Sequence, residues 1–386
     1  MTNDLKLRQA NVQQALNRLG ADGCLLSVDV NVYYMTGQVF SGYFYLPAEG
    51  EPYWFVKRPN NLAGDHIFYI RKPEEIIEIL EATHLPPSKK LLLETDEISY
   101  NECLRLQSAL RIEETGNATA LMRQIREIKT AYEIEQFRIS ARKHAIVYSE
   151  VKSCFTPGMT DLEFQAEIEK RMRMNGSIGI FQTFGANMHI FMGSVLAGSN
   201  AETPSPFDFA LGGGGQLPLC PVGANGTVLK EGMTVMVDMG GNYTAYLTDM
   251  TRVFSIGKIS DLACRAHQVS IEIQDDMLQT AAPGTPCAEL YNKAFEKAAK
   301  AGLADYFMGT KQQARFVGHG LGLQINELPV LMPRSKELLQ PNMVFALEPK
   351  FVIPGVGAVG IENSFLVTET GIEKLTRFEE KIMPLS

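Results

Sequence analysis

The feature that most constrains the fold of this 386-residue chain is a change of pattern near residue 120. Before it, short apolar strand patterns alternate with helical patterns. After it, long helical segments stand apart from groups of short apolar strands. Helical periodicity is found near 4–19, 73–83, 98–110, 161–174, 260–281 and 286–301. Alternation is typical of an α/β domain, whereas separate groups of helices and strands are typical of an α+β domain.

The chain is longer than one hydrophobic core usually serves, so two domains are expected. We predict a smaller α/β domain over 1–122 and an α+β domain over 123–386. An amphipathic helical segment starts near the boundary and continues to about Val151. The stretch 177–228 is rich in glycine, proline, serine and phenylalanine, and predicts a long functional loop region.

Composition excludes several classes of protein. The net charge is −8 and the pI is near 5.4, which argues against a nucleic-acid-binding surface. The six cysteines form no CxxC pair, which is typical of reduced thiols. The first residues are polar, and no segment has the length of a membrane span. We therefore expect a cytoplasmic enzyme that acts on a small substrate, with neither nucleic acid nor membrane as a partner.

Several residues of metal-ligand type lie on short apolar strands of the second domain: Asp238, Asp249, His319, Glu348 and Glu362. Two adjacent strands carry the aspartates, so their carboxylates can converge on one point. His319 lies between glycines, which let the backbone pack closely while the imidazole projects. Four carboxylates and one imidazole suit two divalent ions of Mn, Co, Fe or Zn better than a soft metal.

These residues lie in segments that resemble the ligand segments of the pita-bread metallopeptidases, the family of prolidase, aminopeptidase P and creatinase. The segments are VDMGGNYTAYLTDMTRVF, GHGLGL, ALEP and GIEN. IREIKTAYEIEQFRISARK and NVYYMTG extend the resemblance toward the N-terminus. The resemblance implies an α+β pita-bread catalytic domain preceded by a creatinase-type α/β domain. It also implies a homodimer.

Carried over residue by residue, the resemblance implies a role for each ligand. Asp238 binds one ion, Asp249 and Glu362 bridge both ions, and His319 and Glu348 bind the other. Glu348 also accepts a proton from the attacking water. The implied reaction is cleavage of the N-terminal peptide bond of short peptides, as by an Xaa-Pro dipeptidase or aminopeptidase.

The sequence departs from the family pattern where substrate and proton handlers are expected. Leu219, Cys220 and Pro221 stand near the place of one histidine, Asn326 at that of a second, and Gly360 at that of an arginine. An amide forms hydrogen bonds but does not shuttle a proton at neutral pH. We therefore consider Asn326 a substrate-binding candidate and His189 a replacement catalytic residue.

These departures leave two alternatives open. The first is an amidohydrolase or lyase that uses the same metal cage on a small non-peptide substrate. The second is a non-catalytic binding protein on the same fold. Metal content separates the second from the enzymes, and a comparison of Xaa-Pro peptides with other small amides separates the two enzymes.

Overall fold

The computed structural model describes residues 2–85, 88–185 and 190–385, and divides into two compact units, Met1–Arg126 and Glu127–Ser386. The helix Ala118–Glu127 crosses this division. The sequence-based boundary at 122/123 lies inside that helix.

The first unit is built on a six-stranded mixed sheet of order β4-β3-β2-β1-β5-β6. Its strands are β1 (Gly23–Leu26), β2 (Ser41–Pro47), β3 (Tyr53–Arg58), β4 (Ile67–Tyr69), β5 (Lys90–Leu93) and β6 (Glu114–Asn117). Its helices are α1 (Thr2–Leu19), α2 (Asp29–Thr36), α3 (Glu74–Ala82), α4 (Tyr100–Ala109) and α5 (Ala118–Glu127). The central strand β1 pairs antiparallel with β2 and parallel with β5.

In the described residues of the second unit, four long helices are grouped apart from the strands. They are α6 (Ala131–Glu150), α7 (Asp161–Met174), α8 (Asp261–Thr280) and α9 (Cys287–Lys300). Short 3-10 helices cover Val151–Cys154, Gly198–Glu202 and Ala304–Tyr306. Within the described residues, no helix is both long enough and apolar enough to cross a membrane.

Capping explains where these helices begin. Thr160 and Glu163 form a capping box that starts α7. A second box, formed by Thr130 and Glu133, starts α6 and separates it from α5, where the sequence suggested one continuing helix. The N-cap of α9 is Pro286, and the hydroxyl of the preceding Thr285 accepts a hydrogen bond from the backbone N–H of Ala282.

The described strands of the second unit form two sheets and a two-stranded ribbon. One sheet has the order β17-β9-β8-β7, with β7 (Gly193–Ala197), β8 (Thr234–Gly241), β9 (Thr248–Ser255) and β17 (Met383–Pro384). The other has the order β11-β10-β12-β15-β16, with β10 (Gly318–Gly320), β11 (Glu327–Val330), β12 (Val344–Leu347), β15 (Asn363–Val367) and β16 (Ile372–Lys374). The ribbon pairs β13 (Lys350–Ile353) with β14 (Gly357–Gly360).

The predicted strands around the two glutamates are each split in two. Glu348 and Pro349 separate β12 from β13, and Glu362 lies between β14 and β15. Proline has no backbone N–H to donate to a ladder, which explains the first break. Each glutamate therefore lies at a strand end, rather than inside a strand as the apolar pattern suggested.

Residues 378–384 pack behind the strands that carry the aspartates. β17 pairs parallel with β9. The fully buried Arg252 of β9 donates hydrogen bonds to the backbone carbonyls of Phe378, at 3.3 Å, and Glu379, at 2.8 Å. This C-terminal segment thereby packs against β9 and holds the side chain of Arg252 in place.

The stretch 177–228 is largely irregular in its described part, as expected, but it contains β7, which pairs with β8 along its whole length. In β7, the large apolar residues are the adjacent Val195 and Leu196, so the sequence lacks the alternation of apolar and polar residues that predicts a strand. Its pairing with β8 brings this stretch to the edge of the sheet.

The ribbon depends on Gly360. Its φ is +134°, a region that side-chain-bearing residues avoid, and an added Cβ would lie 2.5 Å from the Pro349 carbonyl oxygen. We expect Gly360→Ala to lower the unfolding free energy of the second unit by about 2–4 kcal/mol. Scanning calorimetry is the suitable measurement, because the chain's one tryptophan, Trp54, lies in the first unit.

Gly371→Ala is the matched control, because the nearest atom to its added Cβ is 3.7 Å away. Its cost should stay within about 0.5 kcal/mol. Equal effects of the two substitutions would contradict this account of the ribbon.

Candidate metal centre

The two predicted aspartate ligands lie on one face of the β8–β9 hairpin. Asp249 pairs with Gly240, and Asp238 pairs with Thr251. The aspartates are therefore diagonal neighbours on facing strands, which places their side chains on the same face. Antiparallel register alone thus brings two carboxylates together.

His319 and Glu348 come from the neighbouring sheet. His319 pairs with Ala346 of β12, and the backbone N–H of Glu348 donates to the Val317 carbonyl at 2.9 Å. The Nε2 atom of His319 lies 3.5 Å from Glu348 Oε1 and 3.9 Å from Asp249 Oδ2. The histidine therefore meets an acid from each sheet.

The glycines on either side of His319 are required by close backbone packing. A Cβ at Gly318 would lie 2.1 Å from the Ala346 carbonyl oxygen, and one at Gly320 would lie 1.9 Å from that of Leu328. The prediction that small neighbours let the imidazole project is therefore supported by the packing.

Glu362 is held against β9 by its backbone and its side chain. Glu362 and Thr251 exchange backbone hydrogen bonds of 3.2 and 3.3 Å, and the Thr251 hydroxyl donates to Glu362 Oε2 at 2.7 Å. Arg252 Nη1 donates to the Glu362 carbonyl at 2.9 Å. Glu362 Oε1 is buried and has no hydrogen-bond partner.

Lys350, which the sequence reasoning did not identify, lies within this acidic cluster. It is buried, and its Nζ lies 2.8 Å from Asp238 Oδ2, 2.7 Å from Glu348 Oε2 and 3.0 Å from Glu362 Oε2. The available signal was a lysine in the run FALEPKFVI, which is apolar apart from Lys350 and the predicted ligand Glu348 two residues before it. Such a lysine is costly to bury unless acids surround it.

The electrostatics of the cluster reflect this crowding. Burial, followed by the charge of Asp238, raises the pKa of Asp249 well above its ordinary value. Burial, followed by the charges of Asp249 and Glu348, does the same to the pKa of Glu362. Burial opposes the charge on Lys350, but the surrounding carboxylates raise its pKa well above the usual range. The acids therefore favour any further cation that approaches them.

Three of the predicted ligands have the geometry of a cation site. Asp249, His319 and Glu362 each offer one ligand atom, and these atoms all lie within 4.8 Å of one another. The unpartnered Oε1 of Glu362 is the kind of atom that an ion would satisfy. Carboxylate oxygens and one imidazole nitrogen suit a divalent first-row metal, so these residues fit such an ion.

The cluster lies in a cleft of about 660 Å³, open mouth included. This size suits a small ligand. Asp208 adds an acid to the wall that is separate from the predicted ligands. The apolar walls include aromatic and aliphatic side chains, namely Phe181, Phe209, Phe316, Leu211, Val222 and Ile325.

The candidates outside the metal ligands have different positions. Asn326 lines the cleft, where its amide accepts from the Phe184 N–H and donates to the Phe184 carbonyl, both at 2.8 Å. Among residues 219–222, only Val222 lines the cleft. His189 lies outside the described residues.

Two other histidines lie in buried positions beside the sheets. His144 contacts Thr248, and burial lowers its pKa to about 3. His267 contacts the Glu380 carbonyl, and burial lowers its pKa to about 4. Both stay neutral at physiological pH and serve as packed hydrogen-bonding groups.

Raised carboxyl pKa values predict that ion binding is coupled to protons. Asp249 and Glu362 favour the protonated form, so a Mn²⁺ ion should displace protons and bind more tightly as pH rises. Without metal, their contribution to stability should be present at acid pH and lost as pH rises through the raised pKa values. Titration calorimetry near pH 6, in buffers of different ionisation enthalpy, measures the protons released.

Asp249→Asn removes one titrating carboxyl that is also a proposed ligand, so it should weaken Mn²⁺ binding and reduce the number of protons released per ion bound. Equal heats of Mn²⁺ binding to the wild-type chain in all buffers would contradict the prediction.

Comparisons with known proteins agree with this geometry. Residues 135–369 match the Metallopeptidase family M24, and residues 8–128 match the Creatinase/Prolidase N-terminal domain. The chain is 26% identical to the Xaa-Pro dipeptidase of Pyrococcus furiosus over 388 residues, which cover 98% of this chain and 100% of that protein. It is 27% identical to an uncharacterised peptidase of Staphylococcus aureus, over 95% of this chain and 97% of that protein.

Solved structures share the fold. An Xaa-Pro dipeptidase from Bacillus anthracis superposes with a TM-score of 0.81 at 23% identity, covering 98% of this chain and 99% of that one. The prolidase from Pyrococcus horikoshii gives a TM-score of 0.77 at 22% identity, covering 96% and 98%. The α+β catalytic domain and the creatinase-type N-terminal domain expected from the sequence are thereby confirmed.

Proposed function

Since this chain belongs to metallopeptidase family M24, we propose that it is a metal-dependent dipeptidase or aminopeptidase. Its substrates would be short peptides with proline next to the scissile bond. The observation that carries the proposal is the set of Asp249, His319 and Glu362 in an apolar cleft. The relatives named Xaa-Pro dipeptidase support the substrate class.

The proposed ligands are the five residues predicted from the sequence: Asp238, Asp249, His319, Glu348 and Glu362. The sequence predicts two ions per chain of Mn, Co, Zn or Fe, and the triad of Asp249, His319 and Glu362 supports a place for one of them. A bound ion would supply a water of lowered pKa and would polarise the substrate carbonyl. Cytoplasmic location and a homodimer are part of the same proposal.

The chain's own residues orient the substrate and move the proton. Glu348 lines the cleft, and its Oε1 lies beside His319. We therefore assign Glu348 the role of accepting a proton from the attacking water. The aromatic walls suit a proline ring and exclude water from it. Asp208 lines the same cleft, and we assign it the binding of the substrate's terminal ammonium group.

A second candidate function follows from the contacts of Asn326. Both polar atoms of its amide are bonded to the Phe184 backbone, so this residue holds a cleft segment in place. That role does not depend on a peptide substrate, so the amidohydrolase or lyase for a small compound, suggested by the replaced histidines, is kept as the alternative. His189 remains a sequence-based candidate for proton handling in either reaction.

The direct test is a substrate screen with the metal-loaded chain. We expect Mn²⁺- or Co²⁺-dependent cleavage of Xaa-Pro dipeptides in preference to matched Xaa-Ala dipeptides, and loss of activity with chelator. Glu348→Gln should lower kcat about 10²–10⁴-fold because it removes the proton acceptor. Glu296→Gln, a change at an exposed pair with Lys300, is the matched control and should leave kcat unchanged.

Cleavage of small amides without cleavage of Xaa-Pro peptides would replace the peptidase by the alternative enzyme. Metal binding without turnover of either class would instead support a binding protein.

Asp208 provides a separate test of substrate orientation. Asp208→Asn removes the charge proposed to bind the terminal ammonium, so KM should rise about 10-fold while kcat changes little. An N-acetylated substrate, which lacks that ammonium, should bind the wild type and the variant equally. An unchanged KM for free dipeptides would remove Asp208 from the proposed binding site.

A further inference from the structure

Lys350 has the contacts of a cation built into the ligand cluster. A lysine ammonium has three N–H donors. Its Nζ has three carboxylate acceptors within 3.0 Å, on Asp238, Glu348 and Glu362. Its side chain is 1% exposed. Three of the four acidic residues predicted to hold ions thus each give an oxygen to this ammonium.

The remaining ligand atoms leave one further place for a cation. Glu348 and Glu362 each contact Lys350 through Oε2. The Oε1 of Glu348 lies beside His319 Nε2, and the Oε1 of Glu362 is buried without a partner. Asp249 makes no ion pair with Lys350 and belongs to the triad with His319 and Glu362. The two glutamates are therefore shared between the ammonium and the triad.

We infer that the Lys350 ammonium occupies the place of one of the two metal ions, so that the chain binds a single divalent ion at Asp249, His319 and Glu362. This inference rests on the proposed metal-dependent function. It lowers the number of bound ions from the two predicted from the sequence to one, and it makes no statement about the substrate class.

Charge and burial support a single ion. Crowded carboxylates in a buried site require compensation, and an attached ammonium supplies part of it permanently. A second divalent ion between Asp238 and Glu348 would lie within a few ångströms of the Lys350 charge, where repulsion in a poorly solvated site is strong. The buried position of Lys350 also gives its charged end no path to solvent without moving its neighbours.

The test is the stoichiometry of Mn²⁺ in the full-length chain. Chelator-treated protein is loaded with excess Mn²⁺, desalted and analysed by plasma mass spectrometry, and titration calorimetry gives an independent count. We expect about one ion in the wild type and about two in Lys350→Ala, which opens the place of the ammonium. Lys297→Met is the matched control, because Lys297 pairs with Asp276 at the surface, and it should bind one ion.

Thermal unfolding gives a second readout that does not depend on a second ion binding. In the wild type, Lys350 compensates part of the acidic charge without metal. Chelation should therefore lower Tm more in Lys350→Ala than in the wild type or Lys297→Met. If Lys350→Ala does not fold, the number of Mn²⁺ ions bound by the wild type still tests the inference. Anomalous diffraction from wild-type crystals grown with Mn²⁺ should then show one peak per chain, at the triad.

Two ions bound to the wild-type chain would overturn the inference and leave the peptidase proposal standing. One ion with no cleavage of Xaa-Pro dipeptides would support the inference while the peptidase proposal fails. A wild-type chain that binds no Mn²⁺, Co²⁺ or Zn²⁺ would overturn both.

Discussion

Repulsion among four carboxylates in one partly buried cluster is the constraint on which the second unit depends. Asp238 and Asp249 lie on β8 and β9, whereas Glu348 and Glu362 lie between strands of the other sheet and the ribbon, so bringing the four together requires that both sheets and the ribbon be in place. Each carboxylate taken from water raises the free energy of the fold unless a cation or hydrogen-bond donor faces it. The cations and hydrogen-bond donors that face these four carboxylates therefore offset the free energy needed to bury them.

The chain meets this constraint from several directions. Thr251 donates to Glu362 from the middle of β9, and Ser364 donates its hydroxyl to the Asp249 carbonyl while accepting from the Asp249 N–H. Arg252, buried on the opposite face of β9, binds backbone carbonyls rather than the ligand carboxylates. It therefore stiffens the strands without neutralising the acids. The positive charge next to the ligands comes from Lys350 instead.

Local sequence patterns predicted much of this architecture. Helical periodicity located most of the long helices, and ligand-type residues in short apolar strands, with the family resemblance they carry, identified the cluster. The glycines on either side of His319, Gly318 and Gly320, were predicted to allow close backbone packing. The structure supports this, because an added Cβ at either position would clash with a neighbouring carbonyl. The helix α2 and the strand β7 were missed because their sequences, DVNVYYMT and GSVLA, have no helix-length or strand-length periodicity.

The features that sequence reasoning missed are those that depend on distant packing. Lys350 lies beside Asp238, 112 residues earlier in the chain, and no local pattern joins them. The contacts of Asn326 with Phe184 join segments 142 residues apart, so its replacement of a histidine gave no indication of what the amide holds. Gly360 shows the same dependence, because only the approach of the Pro349 carbonyl explains why no side chain fits there.

The packing of residues 378–384 behind β9 has a consequence for the order of events in the cell. Every proposed ligand is translated before this segment, yet Arg252 finds its carbonyl partners at Phe378 and Glu379 only when the segment arrives. A nascent chain held on the ribosome with its ligands already emerged would still lack the support behind β9. The strand that carries Asp249 therefore gains its full support only after residues 378–384 have been translated and have packed against it.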